Sequence, residues 1–331
     1  MIAITGGGTG GHLKIAKVVM KELNKKGVRP IYIGSTTGQD KEWFFNEDGF
    51  SEKYFLSSSG VVNKKGLNKI LSLKHILSLS FEVKDIFKKH NIKKVFSVGG
   101  FSAAPASIAA VLFKKELYIH EQNAYIGSLN RLLKPFSKRF FNTFLYNDPY
   151  PIDDEFFKRA RVRENIKRVI FLGGSQGAVA INDLAMKLAF DLKKEGIEII
   201  HQTGKRDYKR VKEFYKNSNL DVDVFDFSST LYEKVSQSDL AISRAGASTL
   251  FELSANLIPT IFIPYPYAAN NHQYFNAKFL VDRDAGFLIE QSKLDLVNFV
   301  DFIKRVDVKK ISLNLKSLNL SNSDDIIKAL L

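Results

Sequence analysis

Three glycine-rich stretches carry the strongest chemical signal in this 331-residue chain: Gly6-Gly7-Gly8-Thr9-Gly10-Gly11-His12, Gly99-Gly100-Phe101-Ser102 and Gly173-Gly174-Ser175-Gln176-Gly177. Each lies between an apolar run with strand character and a helical pattern. Glycine lets the backbone come close to a ligand, and the helix start behind it aims unpaired N–H groups and a partial positive charge at that ligand. Phosphate or pyrophosphate is the chemistry such loops serve. A tight strand–helix turn without a ligand is the plain alternative, but three such loops on one edge favour bound phosphate. His12, where the first helix begins, is a candidate for deprotonating or orienting an alcohol. Imidazole titrates near neutral pH, and a positive helix end favours its neutral, basic form; a histidine that only caps the loop is the competing reading. Gly6, Gly8 and Gly11 also spell G-x-G-x-x-G, which would suit a nicotinamide dinucleotide. That reading needs an acid at the end of the second strand, and the strand ends Tyr32-Ile33-Gly34-Ser35. No Gly-Lys-Ser/Thr follows any of the loops, so the phosphate loop of an NTPase is absent too.

The elements that must position these residues alternate. Ile2–Thr5, Pro30–Gly34, Lys94–Val98 and Glu116–His120 read as short strands, each followed by a helical pattern. The rhythm restarts at Arg168–Leu172 and continues through Glu198–Gln202, Val222–Phe227, Leu240–Ser243 and Thr260–Pro264. Such alternation predicts βαβ units and parallel sheets. Asn147-Asp148-Pro149-Tyr150-Pro151 cannot continue a helix or a central strand and marks a linker. The expected fold class is α/β: two Rossmann-like doubly wound domains, residues 1–148 and 149–331, facing a central cleft, with the last helix able to pack back on the first domain. Ligands in such sheets sit beyond the carboxyl ends of the strands. Composition agrees with two globular domains, at 45% hydrophobic and 25% charged residues. The absence of cysteine excludes disulfides, thiolate nucleophiles and Cys-based metal sites. No targeting segment is read at the start, and the least polar stretch, Phe101 to Phe113, is too short to cross a bilayer. The net charge of +14 fits either compositional drift in a lysine-rich chain or an anionic partner such as nucleic acid, a membrane surface or a phosphorylated substrate, and charge alone decides nothing; no stripe of interleaved arginines and aromatics suggests nucleic acid.

The glycine loops, together with His120-Glu121-Gln122-Asn123 and Arg244-Ala245-Gly246-Ala247-Ser248-Thr249, resemble the MurG family in order from the first residues to about Gly286. These are GT-B glycosyltransferases that move N-acetylglucosamine from UDP-N-acetylglucosamine onto lipid I, the undecaprenyl-pyrophosphoryl-N-acetylmuramyl-pentapeptide, to make lipid II for peptidoglycan. The resemblance implies that the second domain holds the donor and the first the acceptor. It also implies an inverting reaction with no obligatory metal and at most stimulation by a divalent cation. Consistent with that, no Asp-x-Asp follows a strand; Asp221-Val222-Asp223 stands at a strand start instead.

By the same resemblance His12 is the catalytic candidate, and Thr9, Gly10, Gly11, Gly100 and Asn123 meet the acceptor, with Thr9, Gly10, Gly11 and Asn123 also reaching the donor sugar. An asparagine helix cap is the plain alternative for Asn123. Ser175 and Gln176 match residues that meet the UDP diphosphate, where each preorganised donor typically contributes roughly 3 kcal/mol to transition-state stabilisation. Phe227 and Ser228 fall where uracil is gripped, Gly246, Ala247 and Thr249 open the helix beneath the nucleotide, Glu252 binds the ribose hydroxyls, and Gln273 reads the sugar hydroxyls. Two departures stand out. Where the family commonly has Asn-Pro-Val-Arg with a nucleotide-contacting arginine, this chain has Tyr150-Pro151-Ile152-Asp153, with Arg159, Arg161 and Arg163 as nearby substitutes. His272 stands where a glutamine is frequent.

Residues Lys64 to His90 hold seven lysines and many aliphatics. On a helical wheel Leu73, Ile76, Leu77 and Phe87 form the expected core stripe. Leu71 and Leu79 are expected to project from the other side, ringed by Lys64, Lys65 and Lys69, as an interfacial patch; a helix buried on both sides is the alternative. The resemblance implies a peripheral protein on the cytoplasmic side of the bacterial inner membrane. Its implied partners are UDP-N-acetylglucosamine, lipid I, the anionic membrane surface and other cell-wall synthesis proteins. Two other function classes fit the same loops: a UDP-N-acetylglucosamine isomerase of the same fold, and a non-catalytic carrier or scaffold.

Overall fold

A computed structural model describes residues 1–60, 66–174 and 176–331, so Lys64, Lys65 and Ser175 lie outside the described residues. The chain forms two units, Met1–Ile152 with Ser321–Leu331, and Asp153–Leu320. In the first, strands β1 (Ile2–Thr5), β2 (Ile31–Ser35), β3 (Lys53–Leu56), β4 (Lys94–Ser97), β5 (Glu116–His120) and β6 (Arg139–Phe141) form one parallel sheet in the order β3-β2-β1-β4-β5-β6. Its helices are α1 (Gly10–Lys25), α2 (Asp40–Phe44), α3 (Gly66–Lys89), α4 (Ala104–Leu112), α5 (Ser128–Leu133) and α6 (Thr143–Tyr146). Strands covered on both faces lose the in–out alternation of an exposed sheet, and β1 and β2 are buried at every position. Ala3, Ile31, Ile33, Val95, Leu117 and Ile119 of the sheet pack against Val83 and Phe87 of α3 and Ala106, Ala109 and Ala110 of α4.

The second unit repeats the plan. Strands β7 (Arg168–Leu172), β8 (Glu198–Gln202), β9 (Asp223–Phe225), β10 (Leu240–Ser243), β11 (Thr260–Phe262) and β12 (Phe287–Leu288) are parallel in the order β12-β11-β10-β7-β8-β9. Helices α7 (Asp154–Lys158), α8 (Val179–Lys194), α9 (Tyr208–Asn217), α10 (Leu231–Ser236), α11 (Ala247–Ala255), α12 (His272–Val281), α13 (Phe299–Lys304) and α14 (Val308–Ser317) accompany them. The last helix, α15 (Asp324–Leu330), belongs to the first unit, where it packs on α1. Lys94 at the start of β4 donates from Nζ to the Leu330 carbonyl at 3.0 Å, a cation on the negative end of that helix.

Both sheets carry strands that the sequence pattern does not announce: β3, β6 and β12 all lie at sheet edges. Edge strands are short and half-solvated, so their apolar run is diluted; β3 is only partly buried at all four positions.

Helix α3 corrects the expectation for residues 66–89. Its buried positions are Ile76, Leu79, Ser80, Val83 and Phe87, a stripe at spacings of three and four. Leu79 is therefore core, at 3% exposure, whereas Leu73 and Leu77, expected in the core, are 52% and 45% exposed. Leu71 is exposed as expected, at 56%. The wheel was rotated because the helix packs through its second half on α4 and the sheet. Its first half, Leu67 to Leu73, carries aliphatics that meet no core.

One buried cation organises the second unit. Arg163 is fully buried, and all five of its N–H donors are used: Nε on the Ser238 carbonyl, Nη1 on the Arg161 and Asn256 carbonyls, and Nη2 on the Val235 carbonyl and Asn256 Oδ1. Val235 lies in the last turn of α10, Ser238 just beyond its end, and Asn256 caps the end of α11, so the guanidinium sits at two negative helix termini. Burial pushes it down to about 9, still cationic at neutral pH. Arg163→Met would strand several buried carbonyls, and thermal unfolding should show a loss of about 3 kcal/mol; an unchanged melting curve would contradict this account.

Candidate active site

The first-unit residues gather at the carboxyl ends of β1, β4 and β5, where the strand order reverses between β1 and β4. The loop after β1 and the loop after β4 touch backbone to backbone, with Gly7 N–H donating to the Gly99 carbonyl at 3.2 Å. Gly100 has φ of +80°, and a side chain there would put its Cβ 2.2 Å from the Gly7 carbonyl oxygen, so only glycine fits. Thr9 is the N-cap of α1, with Gly10 and Gly11 its first residues and His12 next, half-buried. The imidazole lies over the Gly99–Gly100 backbone, within 3.5 and 3.4 Å of where Cβ atoms would stand. Its Nδ1 is 3.0 Å from Thr9 Oγ1, and Gln122 Nε2 is 2.9 Å from its Nε2. Asn123 follows on the same loop; its carbonyl accepts from Asn142 Nδ2 at 2.9 Å. The structure thus brings together Thr9, Gly10, Gly11, His12, Gly100 and Asn123.

Two buried carboxylates hold this arrangement: Asp40, which did not stand out in the sequence, and Glu121, which did so only as part of His120-Glu121-Gln122-Asn123. Asp40, at the start of α2, accepts from Gly8 N–H at 2.6 Å, from Ser35 N–H at 3.1 Å and lies 3.1 Å from Tyr32 Oη. No acid ends the second strand, but one five residues on folds back onto the glycine loop. Burial, and then Asp40, raise the Tyr32 phenol well above its ordinary value. Glu121 accepts from Asn123 N–H, Gly127 N–H and Asn130 Nδ2 at 3.0, 2.9 and 2.9 Å, and the Asn123 side chain bonds it as well. Burial raises its carboxyl and these hydrogen bonds oppose the rise. Next to it His120 is fully buried, edge-on to Tyr150, and burial with His12 nearby pushes it down to about 3, so it stays neutral.

In the second unit the residues again lie beyond strand carboxyl ends. Gln176 sits in the turn between β7 and α8, whose glycine loop abuts the loop after β8: a Cβ on Gly204 would stand 2.3 Å from Gly177 Cα. Asn182 ties that second loop down, donating to the Thr203 carbonyl and to Asp207 and bonding the buried His201. Phe227 and Ser228 follow β9, and Ser228 Oγ accepts from Thr230 N–H before α10. Gly246 is the N-cap of α11 and Ala247 its first residue; Thr249 is half-buried and Glu252 is 7% exposed on the same helix. Gln273, second in α12, accepts from Tyr265 N–H through Oε1 at 2.9 Å, and its amide nitrogen is a donor. Asn276 on that helix donates to the Ala245 carbonyl, joining α12 to the loop before α11.

The arginines near the linker are engaged in contacts within the second unit. Asp153 caps α7 through Glu155 N–H, Arg159 pairs with Glu155, Arg161 bonds Asp239 and the Ser236 and Ser238 carbonyls, and Arg163 is enclosed as described. Arg244, after β10, is engaged with the Ile263 and Pro264 carbonyls and Gln291. Among the described residues no group of three or more His, Asp and Glu could hold a metal ion. Asp40→Ala would leave the buried Ser35 N–H unpaired and release the Gly8 N–H; a loss of about 2 kcal/mol in urea unfolding is expected, and an unaltered midpoint would show that the carboxylate does not order the loop.

Residues 2–142 match the glycosyltransferase family 28 N-terminal domain, and residues 168–330 match the glycosyltransferase family 28 C-terminal domain. The chain is 54% identical over 327 residues to the UDP-N-acetylglucosamine–N-acetylmuramyl-(pentapeptide) pyrophosphoryl-undecaprenol N-acetylglucosamine transferase of Campylobacter jejuni, covering 98% of this chain and 96% of that one. The protein of the same name from Campylobacter fetus is 52% identical, covering 99% and 98%. A crystal structure of MurG from Acinetobacter baumannii superposes with a TM-score of 0.77 at 25% identity, covering 99% and 98%. With this identity over nearly its whole length, and both domains matched in order, the chain belongs to glycosyltransferase family 28.

Proposed function

We propose that the chain transfers N-acetylglucosamine from UDP-N-acetylglucosamine to the muramyl sugar of undecaprenyl-pyrophosphoryl-N-acetylmuramyl-pentapeptide, with inversion. The observation that carries this is the 54% identity over 98% of the chain to a transferase whose name states both donor and acceptor. The isomerase alternative receives no support from these relatives.

The residues fit the chemistry. A muramyl hydroxyl oxygen attacks the anomeric carbon, its proton passes to His12, and the bond to the diphosphate breaks with its electron pair leaving on UDP. Neutral imidazole at a helix start is suited to that proton transfer. The glycine loop before α8 with Gln176 meets the departing diphosphate, where backbone N–H groups stabilise developing charge. Phe227 and Ser228 take the uracil, Thr249 and Glu252 the ribose, and Gln273 the sugar hydroxyls. Because amides meet the diphosphate, the reading includes no metal, and activity should persist in EDTA.

Membrane docking completes the reading. No helix of the described residues is long and apolar enough to cross a membrane. Helix α3 instead exposes Leu67, Ile70, Leu71, Leu73, Leu77 and Phe81, beside the exposed lysines Lys69, Lys74 and Lys84. Contiguous apolar side chains rimmed by lysine suit an anionic bilayer surface, where each cation adds about 1 kcal/mol. The occupant we assign is the cytoplasmic face of the bacterial plasma membrane, which carries the acceptor.

With a synthetic lipid I analogue, wild type should release UDP only when acceptor is present. His12→Ala should lower kcat by about 10²–10⁴-fold, and Glu252→Ala should raise KM for the donor about tenfold or more. UDP release that ignores the acceptor would refute the transferase reading. Ile70→Glu with Leu77→Glu should cut co-sedimentation with anionic liposomes severalfold while activity on a soluble acceptor persists; undiminished sedimentation would remove the docking surface.

A further inference from the structure

The chain between β11 and α12 is fixed at its base and carries an exposed aromatic ring at its tip. Ala268 N–H donates to the Tyr265 carbonyl at 3.1 Å, which closes a four-residue turn with Pro266 second and Tyr267 third. Proline sets its own φ and suits the second position of such a turn. At the base Arg244 donates from Nη1 to the Ile263 and Pro264 carbonyls, at 3.0 Å each, and its guanidinium lies 5.5 Å from the centre of the Tyr265 ring. Gln273 Oε1 accepts from Tyr265 N–H at 2.9 Å. A second turn follows, with Asn271 N–H on the Ala268 carbonyl at 2.8 Å, and leads into α12.

Tyr267 stands on this base with little cover. It is 82% exposed, the most of any Phe, Tyr or Trp among the described residues, and meets the Tyr265 ring edge to face with centres 5.7 Å apart. A ring so exposed has no part in the core. The turn that presents it is bonded directly to Gln273, the residue read above as the contact to the donor sugar. Small-molecule sites combine a few placed polar groups with aromatic faces, and this turn holds one of each. A pyranose with equatorial hydroxyls is polar around its rim and presents C–H groups from its faces. Such C–H groups suit the electron-rich face of an aromatic ring.

We propose that Tyr267 is a specificity-determining residue for the donor: its ring stacks on the C–H face of the N-acetylglucosamine pyranose while Gln273 bonds that sugar's hydroxyls. This rests on the reading of Gln273 as a sugar contact. The two side chains divide the recognition, the amide selecting the polar rim and the ring supporting the flat face. Because Tyr267 meets the sugar and not the nucleotide, its contribution is present with UDP-N-acetylglucosamine and absent with UDP. The face of the ring, rather than its hydroxyl, makes the contact, so phenylalanine can replace the tyrosine and alanine cannot.

Calorimetric titration of the full chain with UDP-N-acetylglucosamine and, separately, with UDP tests this. Tyr267 is exposed, so its replacement should leave the melting curve unchanged. Tyr267→Ala should weaken binding of UDP-N-acetylglucosamine about five- to tenfold and leave that of UDP within about twofold. Tyr267→Phe should bind the sugar nucleotide within about twofold of wild type. In turnover with a lipid I analogue, Tyr267→Ala should raise KM for the donor by a similar factor and leave KM for the acceptor unchanged. Equal loss for UDP and UDP-N-acetylglucosamine, no loss for either, or a phenylalanine variant as weak as the alanine variant would overturn the proposal. Failure of the parent reading looks different: wild type itself would bind neither ligand, and the proposal would fall with it.

Discussion

Backbone-to-backbone contact between the loops after β1 and β4 is the constraint on which the first unit depends. The switch point between these strands leaves an opening, and the glycines fill it with main chain rather than side chains. That contact places the start of α1 and supports the imidazole of His12. Asp40 and Glu121 then act from beneath, each a buried carboxylate satisfied by backbone N–H groups. Buried charge of this kind is tolerable only where donors are already in place, so both carboxylates order their loops in turn.

The second unit solves the same problem with a different charge. Its glycine loop also leans on a neighbouring loop, but α10 and the helix that carries Thr249 and Glu252 are joined at their ends by Arg163. A guanidinium serves here because one planar group reaches the ends of two helices at once. The arginines just past the linker are engaged in contacts with carboxylates, backbone carbonyls and helix ends.

Charge and apolar surface are divided along α3. One stripe closes the core against α4 and the sheet, while the first half of the helix leaves aliphatics in solvent beside lysines. The first unit, which carries His12, is also the unit that carries this face.

The sequence by itself determined the parallel α/β plan and the glycine loops that follow the strands. Central parallel strands must be continuously apolar, and glycine next to a helix start has few other uses. Edge strands β3, β6 and β12 escaped because half-solvated strands carry no such pattern. Only the tertiary structure decided which side of α3 is core, since two apolar stripes on one helix are equivalent until a partner covers one of them. It alone revealed Asp40, because a carboxylate five residues past a strand can return to a glycine loop only if the intervening turn folds that way. It likewise decided that Arg159, Arg161 and Arg163 serve helix ends and carboxylates, and that Gln122 reaches His12 across 110 residues of chain. Periodicity is written locally, whereas a hydrogen bond between distant loops depends on every element between them.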